Sequence, residues 1–176
     1  MQKNWYAVYT KPRCEKKVAS LLTKRKIENF CPLNFRKIKS LRRSKILHEP
    51  LFKSYVFVNI ALEELSLLKQ TDGVISVLYW TGEPAVIKDD EIEAIKEFTS
   101  DHQNIELERT WVDMHDVARV IDEPSYSMDG NVFALKNKTL KVSLPSLGYI
   151  MIAKLGDESI FGRKATILQN NSFMHS

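Results

Sequence analysis

The sequence predicts an α+β body built on an antiparallel sheet with flanking helices, followed by a small all-β barrel. Three observations predict it. Two aromatic-rich runs, WYAVYTK at 5–11 and EPLFKSYVFV at 49–58, alternate bulky apolar residues as half-buried strands do. A helix-patterned stretch and a strongly basic segment lie between them. Beyond residue 112 the helical period disappears and short strands follow at close spacing, the rhythm of a small barrel.

The 5–9 run reads as the first strand, broken by Pro12. From Arg13 to about Ile27, Cys14, Val18, Leu21 and Leu22 recur at i, i+4, i+7 and i+8, which is one face of a helix. Lys16, Lys17, Lys24 and Arg25 occupy its other positions, either as a solvated face or as a basic face toward nucleic acid. Phe30–Phe35 reads as a short strand. Residues 36–48, RKIKSLRRSKILH, carry six Lys/Arg and no acid, and read as a long hairpin connection or a pair of extended arms. Tyr55–Ile60 is a central strand, and Leu62, Leu65 and Leu68 mark a short helix. Asp72-Gly73 is a turn, Val74–Tyr79 a strand, and Gly82 with Pro84 the next turn. Asp89 or Asp90 is expected to cap a helix carrying Ile92, Ile95 and Phe98, with acids in its first turn as the helix dipole favours. Residues 99–112 are polar and aperiodic and read as a linker. The expected barrel strands are Val117–Ile121, Asn131–Leu135, Thr139–Leu144 and Tyr149–Leu155, punctuated by Pro124 and Gly130, with a further strand at Ala165–Leu168.

Charge divides the chain. Residues 1–60 hold 15 Lys/Arg and 3 Asp/Glu, a net of +12, while residues 61–176 hold 11 and 19, a net of −8. A basic front and an acidic back imply that one region meets a polyanion. No apolar run approaches the about 18 residues that span a membrane, and the amino terminus enters a strand pattern at once, so a cytoplasmic protein is expected. Cys14 and Cys31 lack CxxC spacing and read as reduced thiols. Enzymatic signatures are missing: there is no Gly-rich phosphate loop, no HExxH and no G-x-S-x-G. His48, His102, His115 and His175 are scattered, and Asp89-Asp90-Glu91 reads as the charge bias of a helix start. Neither catalysis nor a cofactor or metal is expected. The aromatics Tyr6, Tyr9, Phe52, Tyr55 and Phe57 exceed what one small core needs, and imply a protein interface.

The segments WYAVYTKPRCEKKVASLL, EPLFKSYVFVNI and TDGVISVLYWTGEPAVIKDDEIEAI together resemble the N-terminal domain of the NusG/RfaH transcription elongation factors, over roughly residues 4–98. VARVIDEPSYSMDGNV is similar to a degenerate KOW motif, with Ser127 where the family usually has Gly, and with Gly130 matching. The resemblance implies a KOW-type, SH3-like barrel and this division: 1–98, an RNA polymerase-binding domain; 99–112, a linker; 113–160, the barrel; 161–176, a tail. It implies docking on the coiled coil of the RNA polymerase clamp through Tyr9, Phe52, Tyr55 and Phe57, with Trp5 in support from the core. Truncating Phe52 or Tyr55 is then expected to remove binding and leave the fold intact.

The resemblance also implies suppressed pausing and termination. The basic helix and arm would face upstream or non-template DNA through Lys11, Lys16, Lys17, Arg36, Lys37, Lys39, Arg42, Arg43 and Lys45. The barrel would recruit a ribosomal protein or a termination factor. SYVFV stands where the general factor has P-G-Y-V, and the KOW motif is eroded. In both respects the chain resembles operon-dedicated antiterminators, including those of capsular polysaccharide clusters in Bacteroidetes. Lys11 and Lys17 match the DNA-reading residues of RfaH in charge, whereas Asp72 stands where a basic residue is expected. The alternative from another class is a ribosome-associated RNA-binding KOW protein. A monomer is expected.

Overall fold

The computed structural model describes residues 2–39, 43–110, 126–128, 131–136 and 139–154. The chain opens with β1 (Lys3–Thr10), α1 (Glu15–Lys24) and the short β2 (Glu28–Phe30). A hairpin of β3 (Leu33–Lys39) and β4 (Ser44–Pro50) follows, then β5 (Tyr55–Ala61) and the one-turn α2 (Leu65–Leu68). β6 (Val74–Val77), the two-residue strands β7 (Tyr79–Trp80), β8 (Glu83–Pro84) and β9 (Val86–Ile87), and α3 (Asp89–Asp101) complete this part. The first sheet is antiparallel in the order β2-β5-β1-β6, with β9 also paired to β1.

β1 is central because both its faces are apolar. Tyr6 and Val8 pack with Val56, Val58 and Ile60 of β5 against Val18 and Leu22 of α1 and Leu65 and Leu68 of α2. One residue out of phase, Trp5, Ala7 and Phe57 face Ile92, Ile95 and Phe98 of α3. The Asp72-Gly73 turn closes on α1. Gly73 has φ +93°, and a Cβ there would lie 2.9 Å from Val18 Cγ2, so both the backbone and the packing require glycine.

Local chemistry explains where the elements depart from expectation. Phe30–Phe35 is two strands, because Pro32 has no N–H to continue a ladder; β2 pairs with β5 and β3 with β4. The expected Val74–Tyr79 strand divides at Leu78, whose N–H reaches Ala7. The chain then forms the tight β7–β8 hairpin, with positive φ at Thr81 and Gly82. The cap of α3 is Lys88, not Asp89 or Asp90, and no side chain bonds the helix start from that position; the acids occupy the first turn. The basic segment is a hairpin with a register from Leu33↔Pro50 to Lys39↔Ser44.

The stretch read as a linker is structured. α3 continues to Asp101, and β10 (Glu106–Arg109) forms the edge of a second sheet. Between them, the buried Asn34 of β3 clips the chain. Its Nδ2 donates to the Ile105 carbonyl at 2.8 Å, and its Oδ1 accepts from the Ile105 N–H at 3.0 Å. Asn104 donates its N–H to the Phe35 carbonyl and accepts from the Lys37 N–H. Hydrogen bonds rather than an apolar period hold this segment, so the sequence pattern misses it.

The second sheet is antiparallel in the order β10-β14-β13-β12-β11, with β11 (Tyr126–Met128), β12 (Asn131–Lys136), β13 (Thr139–Leu144) and β14 (Tyr149–Lys154). Three of these match expected strands. The strands expected at 117–121 and 165–168 lie outside the described residues. Val142, Leu144, Met151 and Ala153 of the second sheet share one buried cluster with Phe52, Phe57 and the apolar face of α3. A cut at residue 100 therefore uncovers core, contrary to the reading of a free linker.

Asn34→Ala leaves the buried N–H and carbonyl of Ile105 without partners. It is expected to lower the unfolding free energy by about 2–3 kcal/mol in urea titrations of the full chain. A loss below about 0.5 kcal/mol would show that the clip contributes little.

Candidate docking cleft and nucleic-acid interface

The aromatic residues of β1 and β5 occupy different depths. Tyr9 and Tyr55 oppose each other across the β1–β5 register, with ring centroids 5.4 Å apart. Tyr9 is 38% exposed, and Tyr55 is half-buried. Phe57 is wholly buried, so it is a core residue rather than a surface contact. Phe52 is 3% exposed; its ring meets Phe57 edge-on at 5.3 Å and Tyr149 of β14 at 5.7 Å. Phe52, Tyr55, Leu78, Arg109, Leu147 and Tyr149 line a cleft of about 290 Å3 between the two sheets.

Arg109 stands over the Tyr149 ring at 5.7 Å and donates Nε–H to its hydroxyl at 3.2 Å. Burial raises the Tyr55 hydroxyl above its ordinary pKa; Tyr149 and Tyr9 push it the same way, and Arg109 opposes them. Sequence reasoning missed Tyr149 and Arg109 as cleft residues. Their contacts lie 40 or more positions away from the aromatic runs, and no local pattern signals them. It also passed over Tyr79 and Trp80, exposed on the β7–β8 hairpin.

The basic residues form three groups. Lys11 and Lys17 lie about the Asp72-Gly73 turn, where Lys17 Nζ is 2.6 Å from Asp72 Oδ2. That hydrogen bond lowers the Asp72 pKa and raises that of Lys17, in agreement from both sides. The pair is exposed and screened by water. Lys16 reaches the arm, its Nζ donating to the His48 carbonyl at 2.7 Å. The third group is the arm itself. Arg36 lies 4.0 Å from Glu49, while Lys37, Arg43 and Lys45 are exposed and Lys39 ends β3. Arg42 lies outside the described residues. Asp72 thus offsets part of the α1 charge, and the arm keeps most of its own.

Cys14 and Cys31 are free thiols, and burial pushes Cys31 up to about 11. Among the described residues no cluster of His, Cys, Asp or Glu is arranged to hold a metal ion, and no helix is long and apolar enough to cross a membrane.

The result is a mixed α/β body with an aromatic cleft, a basic hairpin at its side and a second antiparallel sheet. Residues 3–96, more than half of the chain, match the family model described as "Transcription termination factor nusG", and the chain belongs to the NusG family. Among solved structures it is similar to one described as "Domain interaction in Thermotoga maritima NusG", at 18% identity over 90% of this chain and 96% of that one, with a TM-score of 0.49. It is also similar to two crystal structures of the MjSpt4:Spt5 complex. Conformation A is 17% identical over 85% of this chain and 99% of that one, with a TM-score of 0.33. Conformation B is 18% identical over 87% and 99%, also with a TM-score of 0.33. No curated protein matches the sequence.

Depth in the cleft separates core residues from surface ones. Phe52→Ala and Phe57→Ala are each expected to destabilise the chain by about 3–5 kcal/mol, as large-to-small core changes do. Tyr9→Ala and Tyr55→Ala are expected to stay within about 1.5 kcal/mol of the parent. Urea unfolding of the four variants checks the order, and a stable Phe52→Ala protein would return Phe52 to the surface.

Proposed function

We propose that this protein docks on the clamp of RNA polymerase, suppresses pausing and termination, and serves specific operons. The observation that carries the reading is the partly exposed Tyr9–Tyr55 pair, of which Tyr55 lines the aromatic cleft. Aromatics of this kind, half-sunk in a packed surround, are typical anchors of a protein interface. A factor that binds the closed clamp better than the open one shifts polymerase toward the closed, elongating state, by as much as its two affinities differ. Tyr9 and Tyr55 make the first contact in this reading. Phe52 lies against Tyr149, so contact with Phe52 requires the second sheet to move.

The arm supplies the nucleic-acid contact. Arg36, Lys37, Lys39, Arg43 and Lys45 sit on a projecting ribbon, with Lys16 at its base and Lys11 and Lys17 on the neighbouring turn. Together with Arg42 they meet upstream or non-template DNA through phosphates, which gives affinity without sequence. The second sheet, in this reading, is a KOW-type, SH3-like barrel over 113–160 that recruits a ribosomal protein or a termination factor. The protein works in the cytoplasm as a monomer, without catalysis of its own. The departures from the general factor at Ser54 and Ser127 support dedication to particular operons.

Two measurements test this. In polymerase pull-downs the Tyr9→Ala/Tyr55→Ala double variant is expected to lose at least tenfold in affinity, since interface anchors are worth about 2 kcal/mol or more. A folded double variant with parental affinity would remove the docking surface. Replacing Lys37, Arg43 and Lys45 with Ser is expected to reduce the slope of log affinity for the elongation complex against log salt. The reduction is up to about 0.9 for each phosphate that is no longer neutralised. An unchanged slope would leave the arm as a solvated ribbon.

A further inference from the structure

Glu91 lies in the first turn of α3 and is among the most buried side chains, 1% exposed. Its Oε1 accepts from the Ser146 N–H at 3.0 Å, in the 145–147 turn that joins β13 to β14. Among the described residues its Oε2 is buried without a hydrogen-bond partner. Glu91 belongs to the helix that covers the first sheet, and Ser146 to the second sheet. An acid with one oxygen unmet therefore sits on the seam between them.

Two effects compete there. Charge strengthens the bond to the Ser146 N–H. Loss of water from a carboxylate opposes burial, and more so when one oxygen gains nothing in exchange. Burial prevails: it raises the Glu91 carboxyl above its ordinary value of 4.5, with the hydrogen bonds from Ser146 opposing it. Asp90 adds a like charge that raises it further, and Lys88 offsets part of this. The 145–147 turn, Pro-Ser-Leu, brings no ionisable side chain.

We propose that Glu91 is a built-in release for the seam: its buried carboxylate keeps the docked second sheet metastable near neutral pH and so sets how readily Tyr149 leaves Phe52. The docked form holds the Glu91 proton more tightly than the separated form does. Docking is thus strongest below pH 4.5 and weakens as the pH rises through the docked-state value. The consequence for polymerase rests on the reading of the cleft as a docking surface; the release itself does not.

Nuclear magnetic resonance of the isotope-labelled full chain tests it. Cross-peaks between the Phe52 and Tyr149 rings report the docked form, and the Glu91 carboxyl carbon reports its own titration. In the parent the cross-peaks are expected to fade as pH rises from 4.5 to 8 while the carboxyl titrates above 4.5. Glu91→Gln keeps an acceptor for Ser146 and removes the charge. It is expected to hold the cross-peaks at every pH and to raise the docked population severalfold at pH 7.5. Cross-peaks independent of pH in the parent, or a Gln variant that docks less than the parent, would make Glu91 a clasp and overturn the proposal. The parent titration decides on its own if the variant fails to fold. Polymerase affinity of the Gln variant is expected to fall severalfold; unchanged affinity beside persistent cross-peaks would overturn the docking reading and leave the release standing.

Discussion

The pairing of β1 with β5 is the constraint from which the other features follow. Seven rungs, from Lys3↔Ala61 to Tyr9↔Tyr55, place every side chain of the two strands on one face or the other. Tyr6, Val8, Val56 and Val58 go to the α1 side, and Trp5, Ala7 and Phe57 to the α3 side. A slip of β5 by one residue against β1 would turn the β5 set over. It would carry Tyr55 and Phe57 to the α1 side and bring Val56 and Val58 to the face of Tyr9. The same register that builds two cores therefore also sets the aromatic cleft.

Much of this was legible because it is periodic. β1, α1, β5 and α3 declare themselves through repeats of two and of about 3.6, and the basic arm through composition. The failures share a cause, which is distance along the chain. Asn34 makes its pair of bonds 71 positions away at Ile105, and an isolated asparagine in a short strand signals none of it. Asp89-Asp90-Glu91 was legible as a helix start. The third acid, however, is buried by a turn 55 positions later, and its role differs from that of its neighbours. Phe57 and Phe52 were legible as large aromatics, but their depth depends on α3 and β14.

Electrostatically the molecule is more selective than its composition suggests. Asp72 engages Lys17, and Glu49 lies near Arg36 at the root of the arm, so charge is partly offset close to the body. Lys37, Arg43 and Lys45, further along the ribbon, are exposed. Among the described residues, the exposed cations of the arm therefore lie beyond the Arg36–Glu49 contact.

The Asn34 clip also sets how far the second sheet would travel if it separated from the first. Ile105 is tied to β3 on one side of a peptide bond, and Glu106 is paired to β14 on the other. No slack lies between the two attachments. While both hold, the second sheet turns about a point at residues 105–106 and stays within a short radius, at high local concentration beside the cleft it vacates. A partner that needs it farther away must either strip β10 from β14 or break the asparagine clip. The leash is thus set by two hydrogen bonds and a four-residue strand rather than by chain length.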